Sequence, residues 1–335
     1  MSHQQDLPED ETMNRLWKLC LGTALAGAAM ISTSAAAYPE RPIKLVVPFP
    51  SGGGTDIVAR KLAQELTAEL KQTVIVENRS GASGNIGAAS VARSAADGYT
   101  VMMTAAPFAI APALFKDLGF HPVKDFTAIT QIATVPLLVV TRPQSPLNTM
   151  ADLVAAARQQ GADVTYATFG VGSPPHLVGE KIQQLAGVKM RQIPYKGGQA
   201  ALSEILSGDI TVGILDVVSM APLVKAGRLK ALAITGPVRS PELPDIPTLS
   251  QQGLSFDAVG WYGLFGPAGM PLAAVQTLNT AVNKVLARPD MRKLIVDSGS
   301  IPISPATSPE QWQARFDNDV RVWGQIARDS GATVN

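Results

Sequence analysis

Residues 43–56 read IKLVVPFPSGGGTD, and this segment decides the fold class. Its first half is almost continuously apolar, which is typical of a strand buried on both faces of a parallel sheet. The glycine-rich stretch 50–54 cannot continue that strand. Beyond it, apolar residues recur every four positions over residues 58–70, which predicts a core-facing helix with Thr55 or Asp56 as its N-cap.

The same order of strand, glycine-bearing loop and helix recurs along the chain. Further strands are predicted at 73–77, 99–104, 129–140, 164–167, 192–195, 210–215 and 229–235, and further helices at 85–95, 150–160, 176–186 and 198–206. Such alternation predicts an α/β fold with parallel sheets. Three helices at 271–286, 289–298 and 309–330 then return to cover the first lobe, because helices without strands cannot extend a sheet. We therefore predict two α/β lobes across a cleft, a discontinuous lobe at 38–138 plus 261–335 and a second lobe at 139–260.

Residues 1–37 are predicted to be an export signal. Arg15 and Lys18 precede an apolar run at 19–31, and Ala37 ends a small-residue cleavage site. The run is shorter than the roughly 20 residues that a membrane-spanning helix needs. We therefore expect cleavage after Ala37 and a periplasmic location. The acidic stretch before Met13 is unusual in such a signal and indicates Met13 as the true start.

The cysteine content and the charge exclude several functional classes. The single cysteine, Cys20, lies in the predicted signal, where the preceding Lys18 disfavours a lipoprotein site. Cleavage would leave no thiol for a disulfide, a nucleophile or a zinc site. The net charge is +1, and losing the two basic and four acidic residues of the signal raises it to +3. Without any basic block, nucleic acid is excluded as a partner.

Four glycine-rich loops stand between a strand end and a helix start: 50–54, 78–84, 169–173 and 196–198. The carboxyl ends of strands in open α/β sheets form the ligand crevice. Helix N-termini at that edge present backbone N–H groups and a partial positive charge, which suit an anion. Any one of these loops could be a simple turn, but four of them, two in each predicted lobe, favour a shared anion site.

Nucleotide-binding and catalytic motifs fail on their details. The glycines after Ser51 lack the Gly-Lys-Ser/Thr of a phosphate-binding loop, and the Gly170-Val171-Gly172 stretch lacks the third glycine of a dinucleotide fingerprint. No Gly-x-Ser-x-Gly elbow and no cluster of metal ligands occur in the sequence. We therefore expect no cofactor, no metal and no catalysis.

Single residues remain open between a binding role and a structural role. His176 could face the cleft or be a surface or capping histidine. Asp216 closes a predicted strand, so it could contact a ligand or cap the helix that begins near Ser219. Phe169 could line the cleft or fill the core, whereas the core is the favoured place for Trp261.

Seven motifs, in order, resemble one family. They are YPERPI (38–43), VPFPSGGGTD (47–56), ENRSGASGNIG (77–87), DGYT (97–100), GVGS with His176 (170–176), PYKGG (194–198) and WYGL (261–264). Together they resemble the Bug-type receptors of tripartite tricarboxylate transporters over the whole chain after residue 37.

The resemblance implies a monomeric, two-lobed Venus-flytrap receptor of the periplasmic binding protein type II class. It implies a small organic carboxylate, held largely by backbone N–H groups and water, and membrane permease subunits as partners. The candidate ligand-binding residues are Phe49, Ser51, Gly52, Gly53, Gly54, Asp56 and Asn78 in the first lobe, Thr104, Ala105 and Ala106 after the third strand, and Phe169, Gly170, Val171, Gly172, Ser173, His176, Lys196, Gly197 and Asp216 in the second lobe.

One segment departs from the family pattern. Many relatives carry a polar residue and a histidine after the third strand, where this chain reads Thr104-Ala105-Ala106-Pro107-Phe108. The pocket wall is therefore expected to be more apolar, which favours an aromatic or aliphatic carboxylate. Two other functions stay open: a carboxylate sensor subunit for a membrane kinase, and a periplasmic hydrolase or isomerase.

Overall fold

Eleven strands follow one another in the computed structural model, which describes residues 38–159, 161, 163–196 and 198–332. They are β1 (Ile43–Val47), β2 (Val74–Asn78), β3 (Thr100–Ala105), β4 (Phe126–Val135), β5 (Leu137–Thr141), β6 (Thr165–Thr168), β7 (Arg191–Pro194), β8 (Val212–Asp216), β9 (Lys230–Ile234), β10 (Gly260–Pro267) and β11 (Ile301–Pro302). The predicted signal at 1–37, with Met13 and Cys20, lies outside the described residues.

Ten α-helices accompany the strands in the described ranges. They are α1 (Gly54–Leu70), α2 (Asn85–Ala92), α3 (Pro107–Leu114), α4 (Met150–Arg158), α5 (Pro174–Ala186), α6 (Gly198–Ser207), α7 (Val217–Lys225), α8 (Leu272–Leu286), α9 (Pro289–Asp297) and α10 (Pro309–Asp329). The apolar stripe predicted on α1 is buried at Val58, Leu62 and Leu66. No helix in this part of the chain is long and apolar enough to cross a membrane.

The strands form two sheets, with the orders β11-β4-β10-β3-β1-β2 and β7-β6-β8-β5-β9. β1 pairs in parallel with β2 and β3, as predicted. However, β10 is antiparallel to β3 and β4, and β5 is antiparallel to β8 and β9, so the prediction of parallel sheets is wrong for these strands. The reason is topological. A strand returning from the second sheet enters the first at the end where β4 leaves, and therefore runs against β4.

The chain passes between the two sheets at Pro136, which separates β4 from β5, and again between β9 and β10. Gly260, the first residue of β10, pairs with Val135 at the end of β4. One residue beyond Pro136, the Leu137 N–H donates to Thr235 Oγ1 at 2.9 Å, and the Leu137 carbonyl accepts from the Thr235 N–H at 2.9 Å. The two crossing segments are thus hydrogen-bonded next to the places where they change sheet.

The C-terminal helix α10 packs on both sheets. Trp312 and Phe316, in its first half, belong to the core beneath the first sheet, together with Trp261. Trp323 and Ile326, in its second half, belong to the core of the second sheet. The expectation that all three C-terminal helices cover the first lobe is therefore wrong for the second half of α10. The lobe boundaries at 38–138 plus 261–335 and at 139–260 stay a prediction.

Replacing Gly260 by alanine would test the close approach of the strands at the crossing. An added Cβ would lie 2.7 Å from the Val135 carbonyl oxygen, which is backbone and cannot swing aside. We expect the free energy of unfolding, measured by urea denaturation, to fall by about 1–3 kcal/mol.

The matched control is Gly324→Ala in α10. The nearest atom to its added Cβ is the flexible end of Arg328, 3.3 Å away. Alanine also favours a helix over glycine by about 1 kcal/mol, so stability should hold or rise. A Gly260→Ala protein as stable as this control would contradict the described crossing.

Candidate ligand-binding site

The first loop, residues 48–53, joins β1 to α1 and is held from behind by one carboxylate. The Gly52 N–H donates to Asp56 Oδ2 at 2.8 Å, and Gly52 has a φ of 82°, which favours glycine. The N-cap of α1 is Gly53, with no side-chain cap, so the predicted Thr55 or Asp56 cap is wrong. Asp56 instead reaches backward along the loop. The first turn of α1 therefore offers its N–H groups without a capping side chain.

Two further side chains complete the support of this loop. Asn78 Nδ2, at the end of β2, donates to the Phe49 carbonyl at 3.1 Å and to Asp56 Oδ1 at 2.9 Å. Arg60 Nε donates to Asp56 Oδ2 at 2.9 Å. Burial raises the pKa of Asp56, but the hydrogen bonds from Arg60, Gly52 and Asn78 outweigh it, and the net pKa is lowered. Asp56 and Asn78 thus stabilise the loop by hydrogen bonds with its backbone.

The second loop, residues 169–173, joins β6 to α5 and is held in the same way. The Gly172 N–H donates to His176 Nδ1 at 3.0 Å, and Gly172 has a φ of 74°. Ser173 Oγ donates to the Gly170 carbonyl at 2.7 Å. α5 begins with Pro174 and Pro175, which have no N–H groups. The second loop therefore offers fewer backbone donors than the first.

The two loops share one bracing arrangement. In each, a glycine two positions before the helix donates its N–H to the side chain of the third helical residue, from Gly52 to Asp56 and from Gly172 to His176. Each acceptor is buried, with 2 % of Asp56 and 7 % of His176 exposed. We call these two contacts the loop braces. The i, i+4 spacing is visible in the sequence, but the different chemistry of the acceptors concealed the likeness.

His176 is held by neighbours on its own helix and on β6. Its Nε2 lies 3.6 Å from Glu180 Oε1, which also accepts from Tyr166 Oη at 2.6 Å. The neighbouring His176 is the largest cause that lowers the pKa of Glu180, while burial raises the pKa of Tyr166. Because Nδ1 accepts from the Gly172 N–H, this hydrogen bond requires the tautomer with the ring proton on Nε2.

Tyr262, on β10, is a site residue that sequence reasoning missed. An ideal Cβ on Gly54 would lie only 2.7 Å from its hydroxyl, so the phenol packs directly on the start of α1. Burial raises the pKa of Tyr262, and the charge of Asp216 raises it further, against hydrogen bonds with Thr55 and Ser300. Tyr262 therefore packs on the first loop and lies within the electrostatic influence of Asp216 on the second sheet. The available signal was the tyrosine in the WYGL motif (261–264).

Asp216 caps α7, one of the two roles left open for it. Its Oδ1 accepts from the Ser219 N–H at 2.7 Å. Its Oδ2 faces the start of α6, where an ideal Cβ on Gly198 would lie 3.1 Å away. Lys196 is exposed, whereas Gly197 lies outside the described residues.

The segment after β3 differs from the expected apolar loop. α3 begins at Pro107, and this turns Phe108 into the core, where its ring centroid lies 4.9 Å from that of Phe126 and 5.4 Å from that of Phe265. Thr104 and Ala106 are also buried. Ala105 pairs with Tyr262 across the strands. Phe108 is therefore a core residue.

The remaining predicted residues divide between the loop surfaces and the core. Ser51, Gly52, Gly53 and Val171 are exposed, and Gly54, Gly170 and Ser173 are half-buried. Phe49 is half-buried, with its ring 3.4 Å from an ideal Cβ on Gly84. Phe169 packs against both hydrophobic clusters of the second sheet, and Trp261 is fully buried, as predicted. The second loop approaches α3, where an ideal Cβ on Gly172 would lie 2.6 Å from Leu114.

The arrangement can bind an anion but holds no metal-ligand set. Among the described residues, no group of three histidine, cysteine, aspartate or glutamate side chains could hold a metal ion. Arg60 and Arg79, the cations next to the first loop, are paired with Asp56 and Glu77. The donors left to a ligand at this loop are therefore backbone N–H groups at the start of α1.

Several known proteins are similar to this chain in sequence or in structure. BugT of Bordetella pertussis is 33% identical over 318 residues, covering 94% of this chain and 97% of BugT. A TctC solute-binding protein from Polaromonas has a similar structure, with a TM-score of 0.79, 29% identity and coverage of 87% of this chain and 99% of that one. MatC from Rhodopseudomonas palustris, solved with bound malate, gives a TM-score of 0.71, 30% identity and coverage of 87% and 100%.

The two sheets, the crossing strands and the loops at the strand ends define the fold of a two-lobed periplasmic binding protein. The family model described as the tripartite tricarboxylate transporter family receptor, TctC, matches residues 58–331. The chain belongs to this family, and the resemblance inferred from the seven motifs is confirmed.

Replacing Gly54 by alanine would test the contact between the first loop and Tyr262. The added Cβ would lie 2.7 Å from the hydroxyl oxygen but 3.9 Å from Cζ of the ring. We expect Gly54→Ala to lower the free energy of unfolding by about 1–3 kcal/mol. In the background of Tyr262→Phe, which removes that oxygen, the same substitution should cost much less. A double-mutant cycle in urea measures the coupling, and additive effects would contradict the contact.

Proposed function

We propose that this chain is a periplasmic receptor that captures a small organic carboxylate and presents it to the membrane subunits of a tripartite tricarboxylate transporter. One observation carries the proposal: α1 begins at glycines, without a side-chain cap, behind a loop that Asp56 and Asn78 hold in place. A helix start of this kind presents oriented N–H groups to an anion. The glycines let a carboxylate approach the backbone closely.

The remaining candidate residues take complementary parts in this proposal. Phe49, Ser51 and Gly52 to Gly54 form the anion-binding surface, with Ala105, Ala106 and Tyr262 beside it. Asp216 lies near Tyr262 and is placed to meet a hydroxyl or amine of the ligand. Phe169 to Ser173, with Lys196, close the second side, and Gly197 stays a candidate from the sequence alone. Asp56, Asn78, Thr104 and His176 act as supports.

Solved relatives give the proposal a ligand class. MatC was solved with bound malate, and another R. palustris protein, 32% identical with a TM-score of 0.74 and coverage of 89% of this chain and 100% of that one, was solved with adipate. Both compounds are small dicarboxylates. The small side chains of Ala105 and Ala106 near Tyr262 favour a ligand with an aliphatic or aromatic body over a heavily hydroxylated one.

The bonding of His176 favours binding over hydrolysis. Its Nδ1 is occupied by the Gly172 N–H, and its Nε2 faces Glu180, so neither nitrogen is placed to activate a serine. Ser173 donates its hydroxyl to the Gly170 carbonyl instead. We therefore propose a receptor without catalysis, which is exported by a signal cleaved after Ala37. Mass spectrometry of the N-terminus of the periplasmic protein would check the cleavage.

Native mass spectrometry of the protein purified without denaturation tests the ligand class. We expect a bound carboxylate, or a rise in Tm of about 5 °C when malate, adipate or benzoate is added well above its Kd. Stabilisation by hydroxylated acids such as citrate and malate, with none by adipate or benzoate, would contradict the apolar ligand body. A retained nucleotide or metal would overturn the proposal.

A matched pair of substitutions at Gly53 tests the backbone donors. The φ of −76° at this residue suits both alanine and proline. Gly53→Ala keeps the N–H, and its Cβ would make an ordinary contact 3.6 Å from the Pro50 carbonyl. Gly53→Pro removes the N–H, so we expect about fivefold weaker binding of whichever dicarboxylate stabilises the wild type. Equal affinities in isothermal titration would exclude this donor.

A further inference from the structure

The loop braces differ in one chemical respect. Asp56 accepts the Gly52 N–H through a carboxylate, and His176 accepts the Gly172 N–H through an imidazole nitrogen. A carboxylate with a lowered pKa keeps its lone pairs down to strongly acidic pH. An imidazole that takes up a second proton becomes a donor at both nitrogens and can accept no hydrogen bond. Acid can therefore release the second loop while the first stays braced.

We propose that His176 is a positioning residue that makes ligand binding by the second loop sensitive to acid. The inference rests on the proposed function, since it assumes that the second loop closes over the ligand. Its physical basis is the 3.0 Å contact between the Gly172 N–H and Nδ1. Because Nε2 already carries the ring proton, the next proton must enter at Nδ1, the atom that holds the loop.

The surroundings of His176 permit this protonation. Glu180 Oε1 lies 3.6 Å from Nε2, on the same helix, and would stabilise an imidazolium. From β6, Tyr166 donates to Glu180, and from α5 Gln183 Nε2 does so at 2.8 Å. These bonds hold the carboxylate beside the ring. Histidine is the side chain that ordinarily changes its charge between about pH 5 and 8.

The consequence for the loop follows from its backbone. Gly172 holds a φ of 74° and packs on Leu114 of α3. Once Nδ1 is protonated, the buried Gly172 N–H faces the Nδ1–H group of the imidazolium, and the two donors repel each other. The second loop then loses its fixed position against α3. Ligand affinity should fall as the pH falls, and it should recover when the pH is raised.

A ligand-free measurement tests the brace by itself. We expect NMR of ¹⁵N-labelled wild-type protein at pH 7.5 to show His176 as the neutral tautomer with its proton on Nε2. The hydrogen-exchange protection of the Gly172 amide, corrected for intrinsic exchange, should fall between pH 7.5 and pH 5.0. In His176→Asn, whose Oδ1 replaces Nδ1 as an acceptor that does not titrate, the protection should persist. Persistence in the wild type at pH 5.0 would overturn the inference.

A binding measurement tests the functional consequence. Adipate and malate are titrated at pH 7.5 and 5.0 into the wild type and His176→Asn. We expect the wild-type affinity to fall about threefold to tenfold more than that of the variant. Comparison with the variant removes the contribution of the ligands' own carboxyl groups, which titrate in the same range. Equal pH dependence in the two proteins would contradict the proposal.

His121 supplies the matched control. Its Nδ1 accepts from the Val123 and Lys124 N–H groups at 3.2 and 3.3 Å, in an exposed turn of the first lobe. His121→Asn should therefore keep the wild-type pH dependence of binding. If neither acid binds at pH 7.5, these ligands are excluded for the proposed function, while the exchange measurement still decides whether His176 braces the loop.

Discussion

The candidate binding site depends on one constraint: a loop that offers its N–H groups to a ligand must be held by something other than those N–H groups. In this protein a single glycine N–H of each loop is given to a side chain on the following helix. The i, i+4 spacing places the acceptor about one helical turn beyond the glycine, in the first turn of the helix, where it is buried. The first loop can then leave the start of α1 uncapped, without the loss of order that a free glycine-rich segment would suffer.

Two features determine how the two sheets are joined. One is the pair of segments that cross between the sheets, and the other is the C-terminal helix α10. Val135 and Gly260 pair at the crossing, and Leu137 and Thr235 exchange hydrogen bonds just beyond it. α10 contributes tryptophans to both cores, so any relative motion of the sheets must be accommodated along this helix. Tyr262 lies two residues beyond Gly260 on the same strand. It thus connects the crossing directly to the start of α1.

Recognition by backbone dipoles is consistent with the charges around the site. Arg60 and Arg79 next to the first loop are engaged in ion pairs with Asp56 and Glu77. Oriented N–H groups at a helix start attract an anion without the desolvation cost of a buried ammonium or guanidinium. In the proposed function, selection among carboxylates would fall to the surroundings of Tyr262 and Asp216.

The sequence by itself determined the α/β class, nearly all the strands and helices, the family and the positions of the loops, because these follow from local apolar periodicity, glycine placement and contiguous motifs. Only the tertiary structure decided that β10 runs against its neighbours, that α10 reaches the second core, that Phe108 lies in the core and that Tyr262 packs on Gly54. Each of these is a contact between segments far apart in the chain, where local pattern carries no information. The loop braces depend on both kinds of information. Their i, i+4 spacing is visible in the sequence, but only the tertiary structure shows that each glycine N–H points at a buried acceptor.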